Sequence, residues 1–327
     1  MPLFGLRYDL RCPPFCKASS AELFAAAIEQ CEWADRLGFA TVTLSEHHGS
    51  PDGYLPSPLV LGAAIAARTR NLRLMLAALI APLHDPIRLA EDIATLDVVS
   101  GGRVLPVVSG GYVESEFATF GRKLSERRQL MDEIVPLLEK AWSGEPFEFR
   151  GTTVRVTPRP VQQPRPPIFM GGASEAAAKR AARLADHFIP TVPELFEVFR
   201  AERKRLGKPD PGPLPRTTGN FLWVAEDPDA AWEQIAPHAL YETNAYGAWV
   251  AATGGDASPF QQVDDPDELR ASGAYPVMTP DELIETARAM GPMDAVMLHP
   301  LMGGIAPELS WECLHLIEEQ VLPALRS

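Results

Sequence analysis

The apolar, β-branched run "ATVTLSEHH" ends in Glu46-His47-His48 and is followed at once by glycine, serine and proline. An imidazole titrates near neutral pH and can take or give a proton, so an adjacent pair at a strand end suggests acid–base chemistry. A single histidine there would more simply cap a helix or bond a carbonyl. Two other strand ends carry a different signal. Ser109-Gly110-Gly111-Tyr112 follows "RVLPVV", and Gly171-Gly172 follows "PIFM" and leads to Ser174 at the head of a helical segment. Glycine pairs leave backbone N–H groups open, and a helix N-terminus favours negative charge, so together they suit a phosphate-bearing cofactor. Ala77 and Ala78, small residues inside the β run "LRLMLAALI", let something flat approach the backbone; tight packing is the plainer alternative.

The elements that must hold these residues alternate. Apolar runs at 3–10, 40–46, 72–80, 102–110, 167–172, 186–192, 218–226 and 294–300 read as eight strands, each followed by a segment with helical spacing. "SSAELFAAAIEQCEWADRLG" opens with a serine cap and Glu22 and closes on Gly38, while "HDPIRLAED" starts with Asp85 as cap and Pro86 at the first position. Eight such repeats predict an α/β fold, a (β/α)8 TIM barrel, with an open doubly wound sheet as the alternative. In a barrel the carboxyl ends of the strands face the active-site mouth, which is where the histidine pair and both glycine pairs fall. Residues 145–157 read as a small hairpin turning near Gly151. Residues 244–278, rich in Gly, Pro and Asp but carrying Tyr246 and Trp249, read as a long insertion between the seventh and eighth strands, a lid over the mouth. We read 1–327 as one domain, with Tyr112 and Trp249 as candidate cavity walls.

Bulk properties bound the function. The net charge of −13 argues against a nucleic-acid or anionic-membrane partner. No apolar run approaches the roughly 20 residues of a membrane span, and the start of the chain lacks a signal-peptide pattern, so a cytoplasmic protein is expected. Cys12, Cys16, Cys31 and Cys313 are scattered and read as packing residues. A homodimer is expected on the general frequency of that assembly.

Taken together, "LGFATVTLSEHH", "PSPLVLGAAIAARTRNLRL", "PLHDPIRLAEDIATLDVVSGGRV", "GYVESEFATFG" and "PPIFMGGASEAAAKRAARLAD" resemble the bacterial luciferase-like monooxygenase superfamily, in family order over most of residues 1–190. The carboxyl-terminal "AVMLHPLMGGIAPE" is similar but less specific. The resemblance implies a TIM barrel that binds FMN, reduced FMN or coenzyme F420 at the carboxyl end. It implies that His47 is the catalytic acid–base near the flavin with His48 beside it, that Ala77-Ala78 is a non-prolyl cis peptide behind the isoalloxazine, and that Ser174 contacts the phosphate. Two positions depart from the pattern. Gly110 stands where many relatives place an arginine that grips the flavin phosphate, and Ala173 where the luciferase has an acidic residue.

The expected activity is therefore that of a flavin-dependent oxidoreductase, an FMN-utilising monooxygenase acting on a small organic substrate, with a separate flavin reductase as a candidate partner. F420-dependent hydride transfer on the same barrel is the alternative. A metal-dependent barrel hydrolase would need three or four ligands at strand ends, and beyond the pair only His299 is well placed, His187 falling at the start of its strand; no metal is expected. A non-catalytic flavin carrier would leave the histidine pair and the aromatic lid without a purpose.

Overall fold

Seven of the apolar runs pair side by side in the computed structural model, which describes residues 1–219, 221–252, 260 and 262–326. They are β1 (Leu3–Tyr8), β2 (Thr41–Leu44), β3 (Arg73–Ile80), β4 (Val104–Ser109), β5 (Phe169–Gly172), β6 (His187–Pro190) and β7 (Ala295–Leu298). They form one curled, wholly parallel sheet in the order β7-β1-β2-β3-β4-β5-β6. Helices cover its outer face, which is why the strands carry near-continuous apolar residues rather than alternating ones.

The helices start and stop where the sequence signals them. In α1 (Ser20–Arg36), Ser19 and Glu22 form a reciprocal capping box, and Gly38 turns the chain at φ +81°. After α2 (Pro58–Arg68), α3 (Pro86–Ser100) begins with Asp85 accepting from the amides of Ile87 and Arg88 and ends at left-handed Gly101. The remaining helices needed below are α4 (Glu114–Thr119), α5 (Arg127–Trp142), α6 (Glu175–Leu184), α7 (Glu194–Arg205) and α8 (Pro228–Ala252). The hairpin forms as expected from Phe147–Phe149 and Thr152–Val154, with Arg150 and Gly151 both at positive φ, as its right-handed twist demands.

Two expectations change. The run 218–226 does not enter the main sheet: only Trp223–Val224 is strand, and it pairs with Val277–Met278 in a separate two-stranded sheet. The chain touches β7 just before, through the Thr217–Ala295 bridge, and then turns away at Gly219, φ +94°. The insertion 244–278 is not a loop at its start. Asn244 to Ala252 continue α8, because one interior glycine, Gly247, costs a helix only about 1 kcal/mol. A short helix, Pro266–Ala271, lies further on; the part of the expected lid at 253–259 and 261 lies outside the described residues. Among the described residues no helix is long and apolar enough to cross a membrane.

Candidate active site

Just past the end of β2, His47 and His48 turn to different partners. His47 is buried, and its Nδ1 lies 2.8 Å from Glu116 Oε1 on α4. The same oxygen accepts the backbone N–H of His48 at 2.8 Å. An oxygen accepting there leaves Nδ1 as the protonated nitrogen and Nε2 as the free acceptor, which faces the Tyr112 hydroxyl at 3.5 Å. His48 turns instead to Glu46. Its Nε2 and that of His84 donate to Glu46 Oε1 at 2.9 and 2.8 Å, while the Ile80 amide donates to Oε2 at 2.7 Å. Burial pushes the Glu46 carboxyl up, but these hydrogen bonds outweigh it and bring it down to about 2; His84 is raised in return, its own burial overcome by Glu46. Glu46 thus ties the ends of β2 and β3 together and fixes the backbone that presents His47.

Around His47 stand four aromatic rings. Tyr54 and Tyr112 meet it edge-on at 4.8 and 5.6 Å between centroids, Tyr246 stands 6.1 Å away, and Trp249 stacks on it at 4.3 Å and 29°. Burial raises the Tyr112 and Tyr54 hydroxyls, so both stay protonated. α8 brings in Tyr246 and Trp249 and is anchored by charge: Glu242 accepts from Arg7 Nη1 at 3.2 Å and from the Tyr275 hydroxyl at 2.9 Å. Arg7 also donates to the Tyr246 hydroxyl at 2.9 Å. Arg11, fully buried, pairs with Asp52 at 2.5 Å and with Asp9 at 3.2 Å. Asp9 is held well below the usual carboxylate range: its burial is overcome by His299 and the two guanidiniums. Asp9, Glu242 and His299 each offer a ligand atom within 4.8 Å of the others. Arg7 and Arg11 already neutralise that trio, so its charge is satisfied within the protein.

The small residues gather one sheet position away. A Cβ on Gly171 would lie 3.6 Å from Ser109 Cβ and 3.9 Å from Ala78 Cβ, so the ends of β3, β4 and β5 make a flat floor of small groups. The Ala77–Ala78 peptide is cis, and the β3–β4 register shifts between Ala77 and Leu79. Gly111 sits at φ +66° with no room for a Cβ, which would meet Ile80 at 2.7 Å. Gly172 is needed for packing, since a Cβ there would come 2.5 Å from that of Ala177. Ser174 caps α6 by accepting from the Ala177 amide at 3.3 Å. Beside Gly110, within ordinary contact of where its Cβ would be, lies the side chain of Arg127. Burial and the adjacent Arg128 lower its pKa, and it has no acidic partner among the described residues. Arg180 on α6 pairs with Asp132 on α5, about one and a half turns below Ser174 and Arg127, so the two helix tops stand at one level.

Glu116, Arg11 and Arg127 were not singled out from sequence, and Glu46 was noted only as the neighbour of the histidine pair. Glu116 reads as an ordinary first-turn acid of "VESEF", and only the fold carries it across 69 positions to His47.

Comparison with known proteins places the chain by sequence and fold. The luciferase-like monooxygenase family model matches residues 13–298. The oxygenase component of the flavin-dependent trigonelline monooxygenase of Acinetobacter baylyi is 32% identical over 157 residues, 46% of this chain and 43% of that protein. The chain spans about half the length of the curated relatives it matches. The crystal structure of the monooxygenase RslO1 from Streptomyces bottropensis superposes with a TM-score of 0.80 at 26% identity, covering 98% of this chain and 99% of that one. The oxygenating constituent of 3,6-diketocamphane monooxygenase from a Pseudomonas putida plasmid, solved with FMN, superposes at 0.75 with 20% identity over 98% of each chain. With the family model matching residues 13–298, most of its length, the chain belongs to the luciferase-like monooxygenase family.

Proposed function

We propose that this chain is the oxygenase of a flavin-dependent monooxygenase, using reduced FMN delivered by a separate reductase to oxidise a small organic substrate. The observation that carries the reading is the Glu116–His47–Tyr112 chain beside a floor of Ala78, Ser109 and Gly171 at neighbouring strand ends. The residues fit the group. A planar ring needs a surface free of side chains, and the floor offers one; a phosphate needs open amides and a cation, and the Gly110-Gly111 turn, the α6 N-terminus with Ser174, and Arg127 offer both. Arg127 would take the place of the arginine that position 110 lacks, reaching the same spot from the neighbouring helix.

Reduced flavin would supply the electrons for activating oxygen. The protein's part is to bind, orient and exclude water. His47 holds or moves the proton at Nε2, Glu116 fixes the ring through Nδ1, and Tyr112 keeps its hydroxyl proton within reach. The end of α8, which brings Tyr246 and Trp249 against His47, covers the mouth and limits water at the reacting centre. His48 serves through Glu46 as a positioning residue.

The test is a binding titration of the pure protein with oxidised FMN, anaerobically reduced FMN, riboflavin and coenzyme F420. Binding of FMN in either redox state supports the reading, and a preference for F420 would replace it with hydride transfer. Binding of none would end both. Arg127→Ala should weaken FMN about tenfold or more, the size of one charge-assisted contact, and leave riboflavin unchanged.

A further inference from the structure

The side chain of Trp249 is enclosed by a particular set of groups. His47 stacks on its ring, and the Arg11 guanidinium carbon lies 4.9 Å from its centroid. Tyr246 stands edge-on at 5.7 Å and Tyr54 at 6.1 Å. Arg11 also lies over the Tyr54 and Tyr246 rings, at 4.6 and 4.8 Å. Its Nη2 is fully buried and has no hydrogen-bond partner among the described residues. Trp249 itself is only half-buried, near the end of α8, and makes no hydrogen bond among the described residues. A flat ring is thus held by stacking alone, against the proposed acid–base histidine and beside an unused donor.

From this box we infer that the substrate is a neutral, planar aromatic compound bearing a phenol or carbonyl oxygen. Its ring takes the place now filled by the Trp249 indole, and its oxygen accepts from Arg11 Nη2. The inference rests on the monooxygenase reading and names the substrate class of that site. Planarity follows from the occupant: rings facing an imidazole and a guanidinium gain from stacking and cation–π contact, which a puckered ring cannot match. Neutrality follows from charge. Arg7 and Arg11 are already paired with Glu242, Asp9 and Asp52, so an added anion would find both guanidiniums engaged. A cation would meet Arg11 directly. The oxygen requirement follows from Nη2, since a buried donor without a partner gains most from an acceptor.

Calorimetric titration of the full chain without flavin, using four probes, tests this. 2-Naphthol should bind about tenfold or more tightly than trans-decahydro-2-naphthol, 2-methylnaphthalene or 2-naphthoate. Equal binding of the saturated alcohol would overturn planarity, equal binding of the methyl compound the role of Nη2, and tightest binding of the carboxylate the neutral assignment. Trp249→Ala, and Trp249→Leu as a second variant that keeps an apolar side chain, should bind 2-naphthol about fivefold more tightly because the indole no longer competes. Trp311→Phe, remote from the box, should not. Unchanged affinity in both Trp249 variants would place the probe elsewhere. FMN binding without 2-naphthol binding would overturn this inference alone; the reverse would overturn the flavin reading and leave the box.

Discussion

His47 is held through Nδ1 and leaves Nε2 facing the Tyr112 hydroxyl, and that arrangement defines its chemistry. Glu116 can only orient the ring through Nδ1, so proton traffic falls to Nε2. His47→Ala should therefore keep FMN affinity within about tenfold while lowering turnover by ~10²-fold or more, checked by parallel binding and steady-state assays. Unchanged turnover would remove His47 from the mechanism. Glu116→Gln keeps the size of the side chain but lets it present a donor to the ring. We expect about a tenfold loss of kcat and a displaced pH–rate profile with KM little changed; a fall in KM and kcat together with an unmoved profile would make Glu116 merely structural.

At the scale of elements, Glu46 links the end of β2 to that of β3 through His48, His84 and the Ile80 amide. The two titrating ends of this link respond to pH in opposite directions. Glu46 is depressed to about 2 from an ordinary 4.5, so its contribution to stability is complete above 4.5 and is lost only as pH falls toward 2. His84 is raised from an ordinary 6.5, so its contribution is complete below 6.5 and is lost as pH climbs through the higher folded value. His84→Gln should lower Tm most near about pH 5 and progressively less toward about pH 9. A gap independent of pH across that range would contradict the assignment. Elements were the most legible part of the sequence. β1 to β6 and β7 announce themselves as apolar runs between caps and glycines, and the strand-end rule put His47 at the mouth before any fold was known. The run "NFLWVAE" misled because its apolar character serves packing, with only Trp223 and Val224 paired as strand. Asn244 and Gly247 likewise suggested a loop where tertiary contacts of Glu242, Thr243 and Tyr246 keep α8 helical. Glu116 and Arg11 could not be found from spacing, because their partners are chosen by the closure of the sheet.

At the scale of the molecule, Arg7 and Glu242 join the first strand to the helix that covers the mouth. Both are buried, so Glu242→Ala leaves a guanidinium desolvated and half-paired. Urea unfolding should lose about 3–5 kcal/mol, and a loss below about 1 kcal/mol would mean that the pair is not what anchors α8. The sheet has a further property. β6 and β7 are its two edges, and among the described residues no ladder joins them; residues 216–218 lean on β7 and then leave it. A curled sheet whose two edge strands are not joined by a ladder has a preferred place to open. Amide protons along 187–190 and 295–298 should exchange with deuterium sooner than those of β2 and β3, so that the barrel breathes on the side away from His47 while its catalytic half keeps its shape.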